Sequence, residues 1–88
     1  MEIRFHKHFE KRYKKLPLEL QEKVQQRMTR FMRDPHDPIL RNHALSGHLV
    51  GRRVFSVTSN VRVMFEEYEN YTFVLMLDVG THPHVYGD

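Results

Sequence analysis

Two histidines and a tyrosine stand close together in the last nine residues, Gly80-Thr81-His82-Pro83-His84-Val85-Tyr86-Gly87-Asp88. They follow the apolar run 71–79, so we expect them just after a strand, on a tail that a small domain leaves exposed. Imidazoles exchange protons near neutral pH, and a phenol donates hydrogen bonds or stacks on a base. With His43 and Arg62, they predict acid–base chemistry on a polyanion. The alternative is that the tail histidines are only solvated.

Length and composition limit the kinds of site that this chain can build. Its 88 residues correspond to one domain, 1–88. The absence of cysteine excludes a disulfide framework and any thiolate ligand or nucleophile. No apolar run reaches the ~18 residues of a membrane span, and the sequence Met1-Glu2-Ile3-Arg4 begins no signal peptide. We therefore expect a cytoplasmic protein that does not associate with a membrane.

The charge is distributed unevenly. The net charge is +3, but residues 1–44 hold eleven Lys and Arg against six Asp and Glu, whereas residues 45–88 hold three against five. A basic half favours nucleic acid or an acidic protein as partner. The alternative is a solvated helical face without a ligand.

Hydrophobic periodicity predicts the elements that position these residues. A short strand over residues 1–5 precedes two helices, which Pro17 separates. A long loop covers residues 34–51, and three strands in alternating pattern follow. The order β-α-α-β-β-β predicts an α+β fold, in which a helical hairpin packs on one face of a small, mainly antiparallel, twisted sheet.

Alternation also orients Arg62. If Val61, Val63 and Phe65 face the helices, Arg62 faces away from them. A mid-strand arginine there either pairs with Glu66 or Asp78, or binds a ligand such as a phosphate, whose oxygens match the guanidinium. The sequence leaves both possibilities open.

Taken together, the sequence resembles the RelE/ParE toxin superfamily of bacterial type II toxin–antitoxin systems, and within it the RelE/YafQ-like mRNA interferases. The resemblance spans almost the whole chain in the right order. It is carried by Phe9-Glu10-Lys11-Arg12-Tyr13-Lys14-Lys15-Leu16-Pro17, Asn42-His43-Ala44-Leu45-Ser46-Gly47, Val61-Arg62-Val63-Met64-Phe65 and Leu75-Met76-Leu77-Asp78-Val79-Gly80-Thr81-His82 with Tyr86.

This resemblance implies a small endoribonuclease that cleaves mRNA, commonly at the ribosome, and that a cognate antitoxin silences. His43 matches the loop histidine of the YafQ-like pattern, His82 the tail histidine, Tyr86 the terminal aromatic residue and Arg62 the strand arginine. Attack by a 2′-OH needs a base, an acid and a cation at the phosphate. These four residues are the catalytic candidates, and we expect neither a metal nor another cofactor.

The sequence departs from the family pattern at several positions. Asn60 stands where YafQ-like enzymes usually have an acidic residue, and Ser56 where they have a further strand histidine. The paired lysines of RelE are missing, and Arg52 and Arg53 are the candidates to compensate. We predict that Arg52, Arg53, Asn60 and His84 contact RNA.

Three other functions fit parts of the sequence. A ParE-like toxin that inhibits DNA gyrase shares the fold, acts by binding protein and needs no catalytic histidine. A metal site built from His82 and His84, with His43 or His48, has fewer ligands of evident spacing than zinc usually takes. A nucleic-acid-binding module without catalysis would need only the basic helices.

Overall fold

The chain forms two layers, a helical hairpin and a five-stranded mixed sheet. A computed structural model describes residues 1–86, including every side chain except those of Pro83 and His84. In chain order the elements are β1 (Glu2–Phe5), α1 (Lys7–Lys15), α2 (Leu18–Arg33), β2 (His43–Ala44), β3 (Arg53–Ser56), β4 (Val61–Tyr68), β5 (Phe73–Thr81) and α3 (His82–Tyr86). The predicted α+β class and helical hairpin are confirmed. Within residues 1–86, no helix is long and apolar enough to cross a bilayer.

Local polar contacts define the hairpin. The Nδ1 atom of His6 accepts a hydrogen bond from the His8 N–H at 3.0 Å and caps the start of α1. The Gln21 amide donates to the carbonyl oxygens of Tyr13 and Leu16 at 3.1 and 3.0 Å. The end of a helix leaves such carbonyls without intrahelical partners. Gln21 therefore ties the first turn of α2 to the end of α1.

The hairpin packs on one face of the sheet and forms the main core with it. The apolar stripe of α2 faces the sheet, because Val24, Met28 and Phe31 are buried and Leu20 is partly buried against the core. The Phe31 ring lies 5.0 Å, between centroids, from the rings of Phe55 and Phe65. Burying aromatic side chains of this size dominates the stability of so small a domain.

The strand order is β1-β5-β4-β3-β2, with β1 parallel to β5 and the other neighbours antiparallel. The sequence predicted a sheet without β2, because a two-residue strand has no detectable periodicity. Residues 34–51 therefore form more than a loop. They contain two 3₁₀ turns, Pro38–Leu40 and Gly47–Leu49, on either side of β2.

The prediction of an exposed tail holds for His82 but is wrong for Val85. Strand β5 continues to Thr81, and α3 places Val85 against Val54 and Met64, on the face of the sheet opposite the hairpin. Only 5% of Val85 is exposed. The physical reason is that Val54 and Met64 present apolar surface on this second face, which Val85 removes from water.

Candidate active site

The candidate site lies on the face of the sheet turned away from the helical hairpin, which we call the site face. Val54 and Met64 lie there, because they pair with one another and pack against α3. His43 pairs with Val54, and Arg62 is two residues from Met64 on β4. Directly paired residues share a face, and so do alternate residues of one strand. His43 and Arg62 therefore both belong to the site face, as alternation predicted for Arg62.

Arg62 is half-buried and is held by backbone rather than by carboxylates. Its Nη1 donates to the Thr58 carbonyl at 2.6 Å, with a longer contact of 3.3 Å to that of Val61. Among residues 1–86, no ion pair involves Arg62. Its charge is therefore positioned by the β3–β4 turn and left available to a ligand.

Both carboxylates that the sequence offered to Arg62 are paired elsewhere. Asp78 is buried and lies 3.4 Å from His8 Nε2 and 3.6 Å from Arg12 Nη2, on α1. Glu66 lies 3.9 Å from Arg52 Nε. Of the two alternatives for Arg62, the described geometry thus gives no support to a structural ion pair with either residue.

Glu66 is engaged a second time, by Tyr68. The Tyr68 hydroxyl donates to the Glu66 carboxylate at 2.9 Å. This hydrogen bond, together with the nearby negative charge, raises the pKa of the Tyr68 hydroxyl above its ordinary value. Glu66 is thereby held toward Tyr68 and Arg52 and away from Arg62.

The neighbours of Arg62 on the adjacent strands are small. Ser56 lies directly opposite it on β3, and Gly80 directly opposite it on β5. The pairing of β4 with β5 has a β-bulge between Met64 and Phe65, so that Met64 opposes Asp78 whereas Phe65 opposes Met76. Bulges re-aim side chains and often lie next to active sites. The result is an arginine with a hydroxyl on one side and no side chain on the other.

His82 and Tyr86 lie on α3, one helical turn apart. Their ring centroids are 4.0 Å apart with an interplanar angle of 48°. The backbone N–H of His82 donates to the Asn60 carbonyl at 3.1 Å, which fixes the start of α3 to the β3–β4 turn. His82 remains exposed and Tyr86 is half-buried. The Tyr86 ring thus restricts the imidazole while leaving it accessible to a ligand.

His43 is exposed on β2, and its ring has a defined contact. Nδ1 lies 2.8 Å from the Arg41 carbonyl oxygen. Because a carbonyl oxygen only accepts, Nδ1 carries the proton in this contact. The lone pair of the neutral ring is then on Nε2, which is the arrangement that a general base needs.

The residue before His43 holds this part of the chain in place. The Asn42 amide donates to the Pro35 carbonyl and to the Tyr71 hydroxyl, both at 2.9 Å. Its Oδ1 accepts from Arg53 Nε at 2.9 Å. Local pattern assigns no role to Asn42 or Tyr71 in the site, because these contacts join residues far apart along the chain.

The four residues predicted to contact RNA do not all lie on the site face. Arg52 is exposed near Met64, and Asn60 is exposed at the β3–β4 turn. Arg53, in contrast, pairs with Phe65 of the main core and is bonded to Asn42, so it lies on the hairpin side of the sheet. The His84 side chain lies outside the described residues, so the prediction for it stays untested.

Within the described side chains, no group of three or more His, Cys, Asp or Glu residues is arranged to hold a metal ion. His82 is flanked by Tyr86 rather than by another described ligand. Because the His84 side chain is not among those described, the proposed pair of His82 and His84 stays untested.

Solved structures with the same fold include a toxin and toxin–antitoxin complexes. YafQ from E. coli strain BL21(DE3) matches with a TM-score of 0.81 and 18% identity over 98% of each chain. The YoeB/ParE toxin from Agrobacterium tumefaciens matches with a TM-score of 0.77 and 14% identity, over 93% of this chain and 99% of the other. A chain of the toxin–antitoxin complex RelBE2 from Mycobacterium tuberculosis matches with a TM-score of 0.68 and 19% identity, over 92% of this chain and 96% of the other.

Neither a family model nor a curated protein matches the sequence. The likeness is therefore one of structure, and at these identities it concerns the fold. The resemblance read from the sequence is confirmed at that level, since the matches extend over nearly the whole of each chain.

Proposed function

We propose that this chain, which has the RelE/ParE toxin fold, is the toxin of a type II toxin–antitoxin system and a metal-independent endoribonuclease. It cleaves mRNA at the ribosome by attack of a 2′-OH on the adjacent phosphodiester, and a cognate antitoxin silences it. The toxin role is supported by the likeness to YafQ and to the RelBE2 complex. The chemistry is supported by the residues on the site face.

The observation that carries the proposal is the order of three residues across the sheet. Arg62 lies on β4, His43 lies beyond β3 on the edge strand β2, and His82 follows β5 on the other side. In an in-line displacement, the attacking 2′-oxygen and the leaving 5′-oxygen occupy opposite sides of the phosphorus. A base and an acid are therefore needed on opposite sides of the cation, which is the order found here.

The three residues are also staggered along the strands. His43 is level with Val54 and Met64, and the His82 N–H contacts the Asn60 carbonyl. Neighbouring strands lie about 4.8 Å apart and successive residues about 3.3 Å apart along a strand, so Arg62 lies between the two histidines in both directions. The guanidinium of Arg62 neutralises charge that develops on the phosphate oxygens.

The two histidines take different roles in this mechanism. His43 accepts the 2′-OH proton through Nε2, because its Nδ1 is committed to the Arg41 carbonyl. His82 donates a proton to the leaving 5′-oxygen, and the adjacent, tilted ring of Tyr86 positions it. The products are an RNA ending in a 2′,3′-cyclic phosphate and one beginning with a 5′-OH.

One experiment tests the proposal against the gyrase-inhibitor alternative. The purified chain is incubated with mRNA alone, with mRNA on translating ribosomes, and with gyrase and supercoiled DNA. We expect cleavage of mRNA, strongest on ribosomes, and unchanged gyrase activity. Inhibition of gyrase with intact mRNA would favour the ParE-like function instead.

A further inference from the structure

A polar groove of about 570 Å³ opens beside the β3–β4 turn and continues from the position of Arg62 toward α2. We call it the arginine groove. Its side chains with charged or hydroxyl groups are Arg27, Arg41, Arg62, Ser56, Thr58 and Ser59. Among the described residues, no carboxylate lines it. Three guanidinium groups and three hydroxyls around one depression form an environment for an anion.

Two of the guanidinium groups are held in the groove by backbone. Arg27 Nη1 donates to the Ile39 carbonyl at 3.1 Å, as Arg62 Nη1 does to that of Thr58. In the described part of the chain, their remaining nitrogens have no protein partner. In each guanidinium, Nη1 is therefore oriented by a backbone carbonyl, and the other nitrogens are available to a ligand.

The carboxylate of Asp37 does not neutralise this charge. Asp37 lies in the same loop as Arg41 but is paired with Arg30 Nη1 at 3.1 Å. Arg41 is exposed, and its side chain makes no hydrogen bond or ion pair with another described residue, because His43 contacts only its backbone carbonyl. The groove consequently keeps the positive charge of all three arginines.

The backbone conformation of Arg41 does not account for an arginine at this position. Its φ is +50°, in the left-handed region, where glycine and asparagine are favoured over long side chains. An arginine therefore stands there against backbone preference, and a role of its side chain in the groove offers the reason.

We propose that the arginine groove binds a second phosphodiester of the RNA strand, next to the one at the site face. The identity of the ligand as RNA rests on the proposed function. Arg62 lines both regions and joins them. A phosphate offers several acceptor oxygens to guanidinium and hydroxyl donors together. Contacts of this kind fix the register of the strand, so the groove determines which nucleotide lies between His43 and His82.

The test uses binding of RNA that cannot be cleaved, so that it does not depend on catalysis. The probe is a 2′-O-methyl hexanucleotide, and a series of such probes each has one neutral methylphosphonate linkage. Arg41→Asn removes the guanidinium and suits the left-handed backbone. Arg27→Gln is the second variant, and Arg33→Gln, on an exposed arginine of α2 outside the groove, is the charge-matched control.

We expect Arg41→Asn and Arg27→Gln each to bind the charged probe about tenfold more weakly, with the control unchanged. The slope of log affinity against log salt should fall by about 0.7 for each lost contact. One probe of the series, in which the neutral linkage lies at the groove, should bind the unaltered protein more weakly than the fully charged probe does. Arg41→Asn should bind this probe and the fully charged probe equally well.

The proposal is overturned if Arg41→Asn binds every probe as the unaltered protein does, or loses affinity equally at all linkages. It is also overturned if the variants weaken binding of polyglutamate but not of RNA, since the groove would then contact an acidic protein. Linkage-specific binding without any cleavage of natural RNA would support the groove and contradict the proposed function.

Discussion

The side-chain amide of Asn42 donates a hydrogen bond of 2.9 Å to the hydroxyl of Tyr71, a residue 29 positions later in the chain. This bond joins the segment before β2 to the β4–β5 turn. Tyr71 is itself buried, with its ring against the main core. His43 follows Asn42 directly, so a contact on the hairpin side of the sheet determines where a residue of the site face lies.

The first prediction follows from this contact. Tyr71→Phe keeps the buried ring and removes the acceptor, which should cost about 1 kcal/mol of unfolding free energy and lower the cleavage rate by displacing His43. Tyr13→Phe is the matched control, because its hydroxyl is also hydrogen-bonded, to Gln25, but on the helical hairpin. Chemical denaturation and single-turnover cleavage measure both effects. Equal losses of activity in the two variants would contradict a positioning role for Tyr71.

The second prediction concerns Arg62. Arg62→Gln should lower cleavage by about 10²–10³-fold, because a cation at the developing phosphate charge is lost. The melting temperature should change little, since no ion pair among the described residues involves Arg62. Arg62→Lys should recover only part of the rate, because an ammonium lacks the planar fork. A fall in stability with full activity would instead make Arg62 a structural residue.

The third prediction separates the roles on either side of Arg62. His43→Ala and His82→Ala should each reduce the rate by about 10²–10⁴-fold. His48→Ala, at another exposed histidine, is the control. Tyr86→Phe should retain most activity, because it keeps the ring next to His82. If Tyr86→Phe is as inactive as His82→Ala, the hydroxyl itself takes part in the reaction.

Local pattern was sufficient for much of this fold. The stripe of Val24, Met28 and Phe31 repeats with the helical period, and each of these residues is buried. Strict alternation in β4 correctly predicted the face on which Arg62 lies. The same rule also explains why Arg53 does not lie on the site face, since Arg53 pairs with the core residue Phe65.

Contacts between distant residues could not be read from the pattern. Strand β2 has two residues and exists because it pairs with β3. Helix α3 forms where Val85 covers Val54 of β3 and Met64 of β4. Such elements depend on the assembled sheet, and local sequence carries little information about them.

The fourth prediction concerns the chemistry of cleavage. Because the proposed proton transfers use His43 and His82, cleavage of purified RNA should continue in EDTA. The 5′ product should end in a 2′,3′-cyclic phosphate or, after its hydrolysis, a 3′-phosphate. A 2′-deoxy nucleotide at the cleaved position should block the reaction. Activity that EDTA removes and zinc restores would contradict this mechanism and favour the metal site that includes His84.

The last prediction concerns the antitoxin. A groove of about 620 Å³ lies between β1 and the helical hairpin. Phe5 and Met32 line it and are 44% and 52% exposed. An acidic, partly disordered antitoxin can be steered by the basic helices and anchored by apolar contacts in such a groove.

Expression of this chain alone in a bacterial host should stop growth, and coexpression of its antitoxin should restore growth and allow the pair to be copurified. Met32→Gln should stay toxic but be rescued less well, because an apolar anchor is replaced by a polar side chain. Leu18→Gln, at another exposed apolar residue of α2 outside the groove, should be rescued fully. Equal rescue of both variants would mean that the antitoxin binds elsewhere. A chain that is harmless at high expression would contradict the toxin function itself.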